Sequence, residues 1–243
     1  MFWKLIGGFL ALAMTVFILP GVAADMGTLS KERTNVEEVV ERYIRAVGDR
    51  AALEKLATRI CAGKETTDLT SREKPLYESH WFEARAKMPF KYLLTTWTGG
   101  GIEKVCRDGE TGWVKDRCGV REDKEAIGTK LAFLFDPQGP LHIAEYFPNL
   151  EFKGTQDMHG RSLHRLDPGD RDPAHYALFF DVEGGLLVGI GYYWELKGYR
   201  EIDGVLFPFS VETSRKGGST VYEFEEVTHN EKVGDEIFVM PTE

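Results

Sequence analysis

The chain has 243 residues, of which 39 are acidic and 30 are lysine or arginine, so its formal net charge is -9. An acidic chain with no basic stripe offers little to phosphates, which excludes nucleic acid as a partner and argues against adhesion to anionic lipid heads. Its length, with 42% hydrophobic residues, suits one globular domain with a sizeable core.

The first 24 residues have the features of an export signal. Lys4 precedes the apolar run Leu5–Leu19, and the small residues Val22, Ala23 and Ala24 precede Asp25. The apolar run is shorter than the roughly 20 residues that a membrane-spanning helix needs, so a signal peptide is favoured over an anchor. We predict cleavage after Ala24, a single domain over residues 25–243, and a periplasmic or secreted protein.

Helical periodicity follows the predicted signal. One apolar stripe is formed by Val36, Val39, Val40, Tyr43, Ile44 and Val47. Asn35 and Glu38 have the spacing of a capping box at the start of this helix, and Gly48 is predicted to end it. Asp49 is predicted to cap a second short helix that runs through Leu56.

From Thr58 onward, short runs of alternating apolar residues predict β-strands separated by turns. His80, Phe82, Ala84 and Ala86 share one strand face, and Phe90, Tyr92 and Leu94 share the next. The Asp108-Gly109 pair is a strong hairpin signal. Between the two groups of strands, helical spacing at Ile127, Leu131, Leu134 and Phe135, broken by Pro137–Pro140, predicts two short helices.

The second group of strands contains turns at His159–Arg161 and Glu183–Gly185. After the latter turn, alternation predicts one long strand with a continuous apolar face made of Leu186, Val188, Ile190, Tyr192, Trp194 and Leu196. A further strand carries Val205, Phe207, Phe209 and Val211 on one face. In the last clear strand Glu223 and Glu225 are predicted to face solvent, while Tyr222 and Phe224 face the other way.

In this order, five segments resemble the LolA-like family of exported bacterial proteins, which includes the outer-membrane lipoprotein-sorting carriers. They are VERYIRAVGDRAALEKLATR, RDGETGWVKD, YALFFDVEGGLLVGIGYY, YREIDGVLFPFSVET and NEKVGDEIFVMP. The resemblance implies an α+β fold: a curved antiparallel β-sheet, or incomplete β-barrel, with N-terminal and central helices covering its open, concave side. It supplies no catalytic residues, and the carriers' functional arginine is not assigned to a position here.

The same resemblance implies an exported non-enzymatic carrier that holds a lipid or acyl chain in an apolar half-barrel cavity. Its cargo would be a lipid or an acylated protein, with a second envelope protein as a further partner. The predicted lining residues are Phe82, Tyr92, Leu94, Trp97, Trp113, Val188, Ile190, Tyr192, Trp194, Phe207, Phe209 and Tyr222. Alternation alone leaves open whether such residues line a cavity or form a plain core, and the 12% aromatic content favours a roomy interior.

Enzyme signatures are missing from the sequence, which has no Gly-x-Ser-x-Gly, Ser-x-x-Lys or His-Glu-x-x-His motif. His159, His164 and His175 lack ligands at a recognised zinc interval, so we predict surface or half-buried histidines, with no metal and no cofactor. An exported hydrolase therefore ranks behind a carrier and behind an interaction module with a filled core.

The three cysteines, Cys61, Cys106 and Cys118, would enter an oxidising compartment on export, where at most one disulfide can form. Cys106 and Cys118 flank the predicted hairpin at staggered positions. A bridge between them is therefore not automatic, because the Cα atoms must come within about 7 Å. The sequence alone does not decide which two of the three cysteines would pair.

Overall fold

A computed structural model describes residues 22–69, 77–123, 128–158, 160–215 and 217–242, with the side chains of 22–34 and 215 left outside the description. The predicted signal region up to residue 21, and the predictions for Ile127 and His159, fall outside the described residues. Within the described part of the chain, no helix is long and apolar enough to cross a membrane.

The described part of the chain begins with two helices, α1 (Val22–Val47) and α2 (Arg50–Leu53). The predicted start of α1 at Asn35 is wrong, because the helix already begins at Val22 and Asn35 lies inside it. Residues 22–34 contain no proline, so nothing in them forbids helix and no cap is required at Asn35. Asp49 does cap α2, since its Oδ1 accepts from the Ala52 amide at 2.9 Å, although α2 ends at Leu53 and not at Leu56.

Gly48 ends α1 where predicted, and the structure shows why a glycine is needed there. Its φ is +135°, and a Cβ added to it would lie 2.3 Å from the carbonyl oxygen of Gly204. The end of α1 therefore approaches the backbone of a distant turn more closely than any side chain allows.

We expect Gly48→Ala to lower the free energy of unfolding by about 1–3 kcal/mol more than Gly119→Ala does. Gly119 is the matched control because its φ is also positive, at +108°, but nothing lies within 4 Å of an added Cβ. Urea denaturation followed by circular dichroism measures both variants. Equal losses would mean that backbone strain alone, and not the contact with Gly204, explains the glycine.

Six strands of the described residues form the first half of the sheet. They are β1 (Thr58–Asp68), β2 (Tyr77–Lys87), β3 (Lys91–Thr98), β4 (Gly101–Arg107), β5 (Gly112–Asp116) and β6 (Gly119–Glu122). Each pairs antiparallel with the next, as in a meander. The predicted Asp108 turn is confirmed, because the Asp108 carboxylate accepts from the Glu110 and Thr111 amides at 3.0 and 2.8 Å.

Short helices link the two halves: α3 (Thr129–Phe135), a 3₁₀ helix (Gly139–His142) and α4 (Ile143–Tyr146). The predicted break at Pro137–Pro140 is confirmed, since α3 ends at Phe135 and the chain restarts as a 3₁₀ helix. We call residues 129–147 the lid segment.

The second half, as far as the structure describes it, contains one short helix and seven strands. They are β7 (Leu150–Met158), β8 (Arg161–Pro168), α5 (Pro173–Tyr176), β9 (Leu178–Asp181), β10 (Leu187–Ile190), β11 (Trp194–Ile202), β12 (Val205–Arg215) and β13 (Gly218–His229). The predicted hairpin at Glu183–Gly185 is confirmed between β9 and β10. A 3₁₀ helix, Asp235–Phe238, follows the last strand.

The described strands make one antiparallel sheet in the order β6-β5-β4-β3-β2-β1-β13-β12-β11-β10-β9-β8-β7. Pairing of β1 with β13 joins the two halves in the middle of the sheet. Because β6 and β7 lie at opposite edges, the sheet is open and not closed into a barrel. Helix α1 and the lid segment pack on one face of it, which confirms the predicted fold class.

The predicted long strand from Leu186 to Leu196 is wrong. It is two strands, β10 and β11, separated by a turn over 191–193. Gly191 makes the turn with φ +60°, and a Cβ there would lie 2.5 Å from the His175 carbonyl oxygen. A bulge between Leu187 and Gly189 shifts the alternation as well, so the six apolar residues do not form one face.

Candidate functional site

The largest apolar cluster of the described residues lies between the concave sheet face and the helices above it. From the helical side it receives Tyr43, Val47, Phe133 and Phe135, among others. Phe224 on β13 lies at an aromatic centre, with edge-to-face ring centroids 5.0 Å from Phe207, 5.4 Å from Phe82 and 6.5 Å from Phe135. The lid segment thus contacts the sheet through aromatic rings.

Eight of the twelve predicted lining residues meet in or against this cluster. Six are buried, namely Phe82, Tyr92, Leu94, Ile190, Phe207 and Phe209, and two are half-buried, namely Trp194 and Tyr222. These eight come from strands β2, β3, β10, β11, β12 and β13. A binding site between the sheet and the lid segment would therefore be lined by these eight residues.

The other four predicted lining residues lie elsewhere. Trp113 packs with Cys106 and Phe238 in a cluster on the convex face, where its indole Nε1 donates to the Phe238 carbonyl at 2.8 Å. Val188 belongs to a third cluster with Leu163 and Phe179.

Trp97 and Tyr192 are surface residues, with 44% and 49% of their area exposed. Trp97 stands an odd number of residues from Leu94 on β3, so it points to the opposite face of the sheet. Tyr192 lies in the turn after Gly191, outside any strand.

A buried arginine joins the sheet to the lid segment. Arg59, on β1, is only 4% exposed. Its Nη1 donates to the carbonyls of Leu134 and Asp136, each at 3.0 Å, and its Nη2 donates to the carbonyl of Pro137 at 3.3 Å. The guanidinium also lies 4.8 Å from the centroid of the Phe207 ring. One side chain of the sheet therefore satisfies the carbonyls at the C-terminal end of α3 and just beyond it.

His229 completes the donors and acceptors around Arg59. The Arg59 Nε donates to His229 Nε2 at 3.0 Å, which requires a neutral imidazole with its proton on Nδ1. His229 Nδ1 lies 3.3 Å from the carboxylate of Asp203 in the turn between β11 and β12. Burial, together with the charge of Arg59, lowers the pKa of His229 to about 4.

A second polar cluster lies inside the lid segment. The buried Asp136 carboxylate accepts from Tyr146 OH at 3.0 Å and lies 2.8 Å from His142 Nδ1. The hydrogen bond to Asp136 raises the pKa of His142. The Tyr146 hydroxyl in turn contacts the hydroxyl of Tyr92 on β3. This is the second polar link between the lid segment and the sheet.

The remaining reactive side chains that the sequence singled out are the three cysteines and two further histidines. Cys61 lies on the same face of β1 as Arg59, and burial raises the pKa of its thiol to about 12, so it is protonated at neutral pH. All three cysteines are free, with Cys61 and Cys106 buried and Cys118 exposed. Of the predicted surface histidines, His164 is half-buried beside Thr155, and His175 is exposed.

Sequence reasoning did not identify Arg59, Asp136 or His229. A signal was present for Arg59, because alternation along β1 places it on the same inward face as Cys61. Its partners lie 75 to 170 residues away in the chain, so no local pattern indicates them.

Open cavities lie outside the aromatic cluster in the described part of the chain. A cleft of about 1020 Å³ continues the concave side beyond Phe82, where its lining includes Glu65, His80, Thr96 and Arg117. A smaller cavity of about 220 Å³ lies beside Phe179, and its lining includes three of the predicted lining residues, Val188, Tyr192 and Trp194. The concave side is therefore apolar under the helices and polar where it opens.

The open antiparallel sheet with helices over its concave side is also the fold of solved structures from the LolA superfamily and the DUF1329 family. A LolA superfamily protein from Nitrosomonas europaea is 10% identical, with a TM-score of 0.54 over 84% of this chain and 96% of that chain. A DUF1329 family protein from Desulfovibrio piger is 12% identical, with a TM-score of 0.56 over 84% of this chain and 97% of that chain.

At these identities the likeness establishes the fold alone, and the fold is the one that the sequence resemblance implied. No protein-family model matches the chain, and no curated protein matches it either.

Proposed function

We propose that this protein is an exported, non-enzymatic carrier that holds the acyl chain of a lipid or an acylated protein between the concave sheet face and the lid segment. The observation that carries the proposal is the bond set of Arg59, which ties the sheet to three backbone carbonyls of the lid segment. In this function the structure is the closed state, with aromatic rings occupying the space that a chain would take.

The cost of burying Arg59 supports a lid that moves. A guanidinium taken from water loses several kcal/mol of hydration, and well-packed hydrophobic residues hold an element at least as firmly. The hydrogen bonds from Arg59 to the carbonyls of the lid segment offset this lost hydration, but only while the lid segment is closed. A closed state held in this way differs from an open, hydrated state by a small free energy, so a ligand can shift the balance between them.

Energetics set the affinity to expect. Burial of hydrocarbon contributes roughly 0.8 kcal/mol per methylene, so a chain with about ten buried methylenes gains about 8 kcal/mol, equivalent to a Kd of about 1 μM. Opening the lid segment subtracts from this gain. We therefore expect dissociation constants above about 1 μM for chains of this length.

A second candidate function, an envelope interaction module with a filled core, is favoured by one feature of the convex face. Trp81, Trp97 and Ile102 are exposed and stand directly opposite one another on β2, β3 and β4. Such an apolar row is typical of a protein contact surface. In that role, removing bound lipid would leave partner binding unchanged.

The carrier function is tested by displacement of fluorescent dansylaminoundecanoic acid with 1-octanol, 1-decanol and 1-dodecanol, whose heads are uncharged. We expect affinity to rise about fourfold per methylene until the interior is filled. Hydrogen exchange should show altered protection of lid-segment amides on binding, with β12 amides unchanged. Native mass spectrometry of the protein as purified from bacteria should show bound lipid.

Ala84→Leu and Glu83→Leu make a matched pair for the same assay. Ala84 is buried on the concave face, and Glu83 is its neighbour on the opposite face. We expect only Ala84→Leu to weaken dodecanol binding, because it fills interior space. Affinity that is independent of chain length, or weakened equally by both variants, would contradict binding under the lid and favour the filled interaction module.

A further inference from the structure

Two cations meet an aromatic pair at the N-terminal end of the lid segment. Lys130 Nζ lies 4.7 Å from the ring centroid of Trp194 and 5.5 Å from that of Tyr176. The Arg171 guanidinium lies 5.0 Å from the same Tyr176 ring and donates to Thr129 Oγ1 at 2.8 Å. We call Lys130, Arg171, Tyr176 and Trp194 the cationic rim.

The cationic rim borders the apolar interior. Tyr176 and Trp194 are both packed against the main apolar cluster, and Leu131 and Ala132, which follow Lys130 on α3, contact or enter it. A chain lying under the lid segment would therefore have one end within reach of Lys130 and Arg171.

Within the described part of the chain, no carboxylate lies within 4.0 Å of Lys130 or Arg171, whereas Lys64, Lys153 and Lys197 each pair with a glutamate. The hydrogen bond of Lys130 is a long one, 3.4 Å, to the His175 carbonyl. Burial lowers the pKa of Lys130, and no neighbouring acid counteracts it. Asp172, next to Arg171, is exposed and engaged in capping α5.

We propose that the cationic rim binds an anionic headgroup, a phosphate or a carboxylate, of the amphipathic ligand whose chain lies under the lid. This inference rests on the proposed function and specifies its ligand class. The planar guanidinium of Arg171 can donate two parallel hydrogen bonds to the oxygens of a phosphate or a carboxylate. The ammonium group of Lys130 adds a compact positive charge at a half-buried position. The protein as a whole is acidic, so the selectivity is local to the rim.

The test compares dodecyl phosphate with 1-dodecanol as displacers of the dansylated reporter at pH 7. We expect the wild-type protein to bind dodecyl phosphate about tenfold more tightly than dodecanol. Lys130→Gln and Arg171→Gln should each lower the affinity for dodecyl phosphate about tenfold and leave dodecanol binding within about twofold. Lys153→Gln, an exposed lysine on edge strand β7, is the control and should change neither.

Three results would overturn the headgroup site while leaving the carrier function standing. One is equal affinity of the wild-type protein for both displacers. Another is an equal loss of affinity for dodecyl phosphate and for dodecanol in the two variants, which would mean that the rim only holds the lid segment in place. The third is displacement of dodecyl phosphate by millimolar inorganic phosphate, which would mean a site for a free anion. If dodecanol itself fails to bind, the carrier function fails first.

Discussion

Arg59→Met is expected to lower the free energy of unfolding by about 3–5 kcal/mol. The substitution leaves the His229 Nε2 acceptor and three backbone carbonyls of the lid segment without their donor, in a place from which water is excluded. It also removes the cation that faces the fully buried Asp136. Urea denaturation followed by circular dichroism measures the loss.

Arg121→Met is the control for this prediction. Arg121 pairs with Asp116 at 2.7 Å but is half exposed, so its loss should cost less than about 1 kcal/mol. In the Arg59 variant, hydrogen exchange should also be faster at amides of residues 129–147 than at amides of β13. A variant as stable as the wild type, with an equally protected lid segment, would refute the role of Arg59 in holding the lid.

Acidification is expected to destabilise the protein through His229. Its pKa is about 4 in the folded state and about 6.5 when unfolded. The unfolded chain therefore binds the proton first, and stability that is complete above pH 6.5 is lost as the pH falls towards 4. We expect a contribution of about 2–3 kcal/mol between pH 7.5 and 4.5, measured as the shift in urea midpoint.

Other charged groups and other histidines also affect how stability depends on pH. Arg59 and Asp203 are the charged groups that face His229, and Asp203 opposes the shift. The raised pKa of His142 has the opposite sign: its stabilisation is complete below pH 6.5 and lost as the pH rises through its folded value. His164, whose pKa is lowered by burial, acts in the same direction as His229.

His229→Gln isolates the contribution of His229, because the amide oxygen can accept from Arg59 but has no proton to gain. We expect the acid-induced loss between pH 7.5 and 4.5 to shrink by about 2 kcal/mol in this variant. The lowered carboxyl pKa values of Asp108, Asp116 and Asp235 act below that window. If the variant had the same pH dependence of stability as the wild type, protonation of His229 would not be linked to unfolding.

Residue alternation and turn motifs correctly predicted those strands and turns that depend on neighbouring residues alone. Alternation of Phe82, Ala84 and Ala86 identified the inward face of β2, and the Asp108-Gly109 pair identified the β4–β5 turn, because both depend on neighbouring residues alone. The same alternation also held the information that Trp97 faces away from Leu94. The sequence therefore already indicated that these two side chains do not share one face, although Trp97 does reach the rim of the open cleft.

Tertiary contacts decided what the sequence pattern could not. The strand predicted over 186–196 breaks at Gly191 because that residue packs against the backbone of α5. Arg59 has partners from the lid segment and from β13, which only the assembled sheet brings together. The apolar interior was therefore predictable in its residues, whereas the polar contacts that close it required the fold.

The unequal exposure of the three thiols has a practical consequence. Cys118 is accessible in the turn between β5 and β6, while Cys61 and Cys106 are buried. A maleimide fluorophore should thus react at one position of the native protein without any engineering. Since Arg117 beside it lines the open cleft, emission from that label would report on molecules entering the mouth of the sheet.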